Sequence, residues 1–199
     1  MLDRMDLLAT VVMMGLLAVC LYVYVQGDRL QLKCVLSDVD GERYCVRDRQ
    51  QVGKAVDLLA KTAKKCGMLV DYLVENEPDK LATQRLKAGF NPKEIMETLP
   101  TSEYTAYSEN KGEKLAFCLN KKNENNNDLI DEDTLMFVAL HELAHIATVS
   151  IGHEPEFWEN FRFLLTQAKE AGIHQPKDYE ESPAEYCGMK LDDNPYYNR

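Results

Sequence analysis

The chain has 199 residues, 45% of them hydrophobic, enough for one compact domain with a real core and a short appendage. Its net charge of −10 and pI near 4.9 argue against a general nucleic-acid binder, because gripping phosphates needs a concentrated excess of Lys and Arg. Six cysteines (Cys20, Cys34, Cys45, Cys66, Cys118, Cys187) with no C-x-x-C pair read as mostly free thiols in a reducing compartment, with a Cys34–Cys45 disulfide as the competing arrangement.

Residues 7–25 (LLATVVMMGLLAVCLYVYV) carry no charge, and at about 1.5 Å per residue such a helix is about long enough for a hydrocarbon core of roughly 30 Å. Residues 1–26 are therefore expected to form one uncleaved transmembrane anchor, the opening MLDRMD being less basic than the front of a secretory signal. Arg4 precedes the span, whereas Arg29, Lys33, Arg43, Arg47 and Arg49 follow it. That bias places the C-terminal domain on the cytosolic, reducing side of a single-pass membrane protein. Residues 27–46 are polar and turn at Asp38-Val39-Asp40-Gly41, a linker or small hairpin leading to a domain over 47–199.

Over residues 49–75 apolar side chains recur at helical spacing (Val52, Ala55, Val56, Leu59, Ala63, Leu69, Tyr72, Leu73), so a long packing helix is expected, with its lysines on a solvated face. Prolines and a glycine break residues 76–100 into short pieces. Residues 103–107 and 114–119 alternate in strand fashion around Asn110-Lys111-Gly112, a hairpin signal. Residues 120–128 (NKKNENNND) hold no apolar side chain and read as a solvated loop.

The chemistry sits in the next helix. Asp131-Glu132-Asp133-Thr134 supplies a cap and negative charge to a run, LMFVALHELAHIA, that is apolar nearly all round and hence buried. Two imidazoles and a carboxylate in such a helix are costly unless paired or ligated. His141 and His145, four residues apart, share one face and can hold one Zn²⁺. Glu142 is placed as general base for zinc-bound water attacking a peptide carbonyl. A third ligand is required, and His153 is the best placed, just past Gly152, which suits the helix C′ position. A histidine six residues beyond His145 would mark a metzincin, but that residue is Ile151. An acidic third ligand, Glu181 or Glu185, is the other arrangement. Pro155 then opens a helix whose apolar stripe is Phe157, Trp158, Phe161, Leu164, Leu165 and Ala168.

The run HELAH followed by GHEPEFW resembles the WLM family of zinc metalloproteases and the related SprT-like group. That resemblance implies His141, His145 and His153 as ligands and Glu142 as base. The stretch from 114 to 189, with its later DY and YCGM, is similar to membrane-anchored metallopeptidase-like proteins of large DNA viruses. WLM proteases that act on DNA–protein crosslinks carry basic or partner-binding segments, which this acidic chain lacks, so the chemistry carries over without a nucleic-acid partner. In zincins of this kind a strand before the active helix commonly forms the edge along which substrate pairs. Residues 114–119 are placed for that, and a core strand would read the same.

Tyr179 and Tyr186 are candidate oxyanion stabilisers, set against the commoner packing role of tyrosine. Cys187 reads as a buried thiol rather than an inhibitory ligand, and His174 as a surface residue. The fold expected is thus an α+β zincin-like metallopeptidase domain, with a buried HExxH helix, a small sheet and packing helices, after one transmembrane helix. Its expected function is hydrolysis of a protein or peptide substrate with Zn²⁺ and no other cofactor. The alternative is a catalytically inactive, zinc-binding, membrane-anchored interaction protein.

Overall fold

A computed structural model describes residues 4–30, 32–121 and 128–197; in the first helix, side chains are described for residues 8–23. Helix α1 (Arg4–Leu30) is followed by strands β1 (Lys33–Leu36) and β2 (Arg43–Val46), then α2 (Val52–Asn76), α3 (Leu81–Gly89) and β3 (Ile95–Glu97). The chain continues through β4 (Ala106–Glu109), β5 (Lys114–Phe117), α4 (Glu132–Ala147), α5 (Pro155–Glu170), β6 (Ala184–Tyr186) and β7 (Met189–Leu191).

Among the described residues no helix is long and apolar enough to cross a membrane. This finding corrects the transmembrane part of the fold and the single-pass topology with a cytosolic domain. Residue 7 and residues 24–25 of the uncharged stretch lie outside the described side chains, as do residues 122–127 of the asparagine-rich loop.

The stretch read as a linker or small hairpin forms the β1–β2 hairpin and joins the sheet. Five strands run in the order β1-β2-β3-β5-β4, antiparallel at both ends and parallel across β2-β3-β5. Strand β5 is therefore interior, the core-strand reading of residues 114–119, and β4 is the edge beside it. Strand β3 follows Pro92 and has three residues, too few for alternation to register.

A buried ion cluster ties the strand ends together. Glu97, fully buried, accepts from the Arg49 guanidinium and, at 2.7 Å, from the Arg47 backbone N–H. Arg47 turns its remaining donors to Thr98 and Leu99, and Arg49 reaches Asn120 at 2.9 Å. Both guanidinium groups are thus paired and hydrogen-bonded, the condition under which buried charge is tolerated.

Helix α2 buries the stripe Ala55, Val56, Leu59, Ala63, Leu69 and Leu73, packing on β1, β2, β3 and α4. Each such leucine contributes roughly 1.5–3 kcal/mol by leaving water. Helix α4 is enclosed by α2, α3, α5, β4 and β5, which is why its sequence has no polar face. Asp131 caps it, accepting from Thr134 N at 2.9 Å. The helix ends earlier than Gly152: Thr148 is the cap and donates its hydroxyl to Ala144 O at 2.7 Å, while Gly152 (φ +86) shapes the loop beyond.

Two disulfides form: the Cys34–Cys45 bond weighed against free thiols in the sequence, and a second bond that corrects the reading of Cys118 and Cys187 as free thiols. Cys34 and Cys45 face each other across the β1–β2 register. Cys187 joins Cys118 at the end of β5, so it is neither a free buried thiol nor a metal ligand. Cys20 and Cys66 are free.

Candidate metal centre and its cleft

Helix α4 sets His141 and His145 one turn apart, and the loop from Thr148 returns the chain so that His153, just before α5, meets them. One ring nitrogen from each of the three lies within 4.8 Å of the others, and the Nε2 atoms of His141 and His153 are 3.1 Å apart. Two nitrogens about 2.0–2.1 Å from a common ion in tetrahedral geometry stand about 3.3 Å apart, so the spacing fits a shared metal. Three of the chain's four histidines meet here, forming a cluster that could hold a metal ion. Glu181 and Glu185 are exposed and outside it.

The electrostatics favour ligation. Burial, then the neighbouring imidazoles, hold His141 down to about 3. Burial, then His153 and Lys111, hold His145 down to about 4. Both rings are therefore neutral near pH 7, the form that binds a metal. Phe157 of α5 forms the floor, its ring 4.9, 4.4 and 4.5 Å from those of His141, His145 and His153.

Glu142 is 5% exposed and lines the same cleft, and burial alone pushes its carboxyl up to about 8. The cleft encloses about 600 Å³ and is walled by Tyr104, Ala106, Tyr107 and Ser108 on one side and by Ser150, Ile151 and Gly152 on the other. Cys118 N donates to Thr105 O at 2.7 Å, so Thr105 and Tyr107 point their backbone groups at β5. By alternation, the N–H and C=O of Ala106 and Ser108 face the open edge.

The two tyrosines weighed as oxyanion stabilisers against the commoner packing role are both buried. Tyr179 is fully buried with its ring 4.8 Å from that of Phe137. Tyr186 is buried too. Its hydroxyl donates to Thr105 O at 2.9 Å and accepts from Cys118 N at 3.2 Å, which leaves its one proton committed. Neither lines the cleft, where Tyr104 and Tyr107 stand instead, 6.4 Å apart edge to face. Their signal in the sequence is the spacing Tyr104-x-x-Tyr107 just before the hairpin turn. His174, expected at the surface, is 4% exposed, and neither ring nitrogen has a hydrogen-bond partner among the described residues.

No family model matches the chain. It is 31% identical over 164 residues to "Uncharacterized protein R325" of Acanthamoeba polyphaga mimivirus, covering 80% of this chain and 82% of that protein. A shorter match, 31% over 61 residues, is to "Uncharacterized protein 136R" of Invertebrate iridescent virus 6, covering 31% of this chain and 34% of that protein. Another, 39% over 59 residues, is to "Uncharacterized protein 042R" of Invertebrate iridescent virus 3, covering 30% and 36%. Among solved structures, the crystal structure of Wss1 from Saccharomyces cerevisiae is similar with a TM-score of 0.46 at 20% identity, covering 64% of this chain and 89% of that one.

Proposed function

We infer that this chain, which belongs to the viral family of mimivirus protein R325, is a zinc-dependent peptidase that hydrolyses peptide bonds. The observation that carries the reading is the convergence of the His141, His145 and His153 nitrogens beside Glu142 in a cleft bordered by an open strand edge. The motif HELAH with GHEPEFW, similar to that of WLM metalloproteases, supports it from the sequence side.

His141, His145 and His153 would hold the ion, three neutral nitrogens that leave a fourth tetrahedral position for reactants. When bound, Zn²⁺ supplies a Lewis acid that polarises the scissile carbonyl and acidifies water. Glu142 takes the proton from the attacking water and delivers it to the departing amine nitrogen; a carboxyl held near the working pH suits both directions of transfer. An extended substrate pairs with the N–H and C=O of Ala106 and Ser108, adding a strand beside β4 and laying its scissile bond across the histidines. Tyr104 and Tyr107 then flank its side chains.

The test combines metal analysis with peptide hydrolysis on the full chain. About one zinc per chain, with Glu142→Gln retaining the metal and losing cleavage by at least about a hundredfold, is the expected result. A native chain that binds no zinc, or a Glu142→Gln variant that cleaves as well as the parent, overturns the reading.

A further inference from the structure

His153 reaches the site at the end of a loop that packing alone does not hold: Val149 is 66% and Ile151 91% exposed. What holds the loop is polar. On one side Arg85 of α3 donates to Ala147 O at 2.9 Å and to Glu156 at 2.6 Å, and Glu156 in turn accepts from the backbone N–H groups of Val149 and Ser150. On the other side stands Lys111, from the tip of the β4–β5 hairpin. Its ammonium donates to His145 O at 3.2 Å, Thr148 O at 2.7 Å and Ser150 O at 3.1 Å. An ammonium has three N–H donors, so all are spent on the end of α4 and its loop, and none is left for a substrate carboxylate.

The backbone beneath this lysine points the same way. Asn110 (φ +48) and Lys111 (φ +56) are the two central residues of the turn that Gly112 N closes on Glu109 O at 3.1 Å. A turn with positive φ at both positions ordinarily takes Asn-Gly, and a side chain at the second position is strained. The turn is also seated tightly. A Cβ on Gly112 would stand 2.5 Å from Gly89 O and 2.8 Å from Cδ1 of Ile146, and one on Gly89 would collide with Lys111 O. The hairpin tip thus rests backbone to backbone on the end of α3 and against the neighbour of His145, a rigid base from which one cation reaches three carbonyls.

We propose that Lys111 is a positioning residue for the metal centre, clamping the Thr148–Ser150 carbonyls so that His153 is delivered to His141 and His145. The proposal rests on the metal-site reading above and adds to it the device that pre-forms the third ligand. A positive charge at the C-terminus of α4 also suits the helix dipole, which a neutral replacement forfeits.

Cobalt(II) and zinc titrations of the full-length chain test this, cobalt because its visible bands report the ligand set. Lys111→Met is expected to weaken metal binding about tenfold and to alter the cobalt bands, with Lys111→Arg restoring part of the affinity. Lys111→Gly separates positioning from fold support. Glycine relieves the turn, so this variant should melt without metal no lower than the parent and yet bind metal as weakly as Lys111→Met. Parental affinity and an unchanged cobalt spectrum in Lys111→Met or Lys111→Gly would overturn the proposal. So would a loss of affinity matched by a fall in metal-free melting temperature of Lys111→Gly. A parent chain that takes up no metal sinks the zinc reading and this proposal together, whereas a parent that binds with variants unaffected sinks only the clamp.

Discussion

The ring of Phe157 lies 4.4 Å from that of His145, tilted by 34°, and touches the other two histidines of the cluster as well. The phenyl fixes all three imidazoles by contact, since an aromatic floor restricts their rotation without offering a competing hydrogen bond. Phe157→Leu keeps the apolar volume and removes the flat surface. It is expected to cost about 1–2 kcal/mol of stability and to weaken metal binding several-fold. Zinc titration followed by thermal melting measures both; unchanged affinity would reduce Phe157 to a packing residue.

If the histidine cluster holds zinc as proposed, metal removal should loosen the whole chain, because His141 and His145 lie on α4 and His153 just before α5, and the ion would link them. Stripping with a chelator is expected to lower the melting temperature, and zinc at a hundredfold excess over its dissociation constant should return about 2.7 kcal/mol. A melting curve indifferent to chelator and to added zinc contradicts a bound ion.

Acid should destabilise the fold through His174. Burial is the main reason its pKa is held down to about 4, with Lys65 adding to the effect and Asp133 opposing it. Below pH 6.5 the unfolded chain takes up a proton that the folded chain refuses until about pH 4. The stability is therefore complete above about pH 6.5 and is lost as pH falls through that interval, by roughly 3 kcal/mol. Denaturant melts of His174→Gln against the parent should show a shallower decline between pH 6.5 and 4; parallel curves would count against this assignment.

The Cys118–Cys187 bond closes a loop of 69 residues that contains the whole histidine cluster and anchors the β6–β7 hairpin. Replacing both cysteines with serine is expected to cost about 4 kcal/mol by the loop-closure argument. It should also expose the C-terminal segment to protease before the core opens. An unaltered melting temperature in the double variant would show that Cys187 N on Asn120 O and Tyr186 on Thr105 suffice to hold the hairpin.

What could be read in advance was whatever is local. The spacing of His141, Glu142 and His145 on an all-apolar helix, the Asp131 cap, the start of α5 at Pro155 and the β4–β5 hairpin each depend on a few neighbouring residues. The rest depends on contacts between distant ones. Strands β1, β2 and β3 are three or four residues long and carry no usable period. Cysteine connectivity is set by which strand ends meet. His174 looks like surface among its polar neighbours and is covered only once the chain has folded. The choice of β4 rather than β5 as the edge is likewise a matter of sheet order, invisible to alternation. Residues 7–25 show the opposite failure: an uncharged stretch predicts a crossing, and among the described residues no helix is long and apolar enough to make one.

His141, Glu142, His145 and His153 all fall within thirteen consecutive residues, whereas the strand edge and the two tyrosines that would meet a substrate come from residues 104–108. Under the peptidase reading, reaction and recognition would be written in separate stretches of the gene. Substitutions confined to residues 104–108 would then change which substrates pair at the edge and leave the histidine cluster untouched.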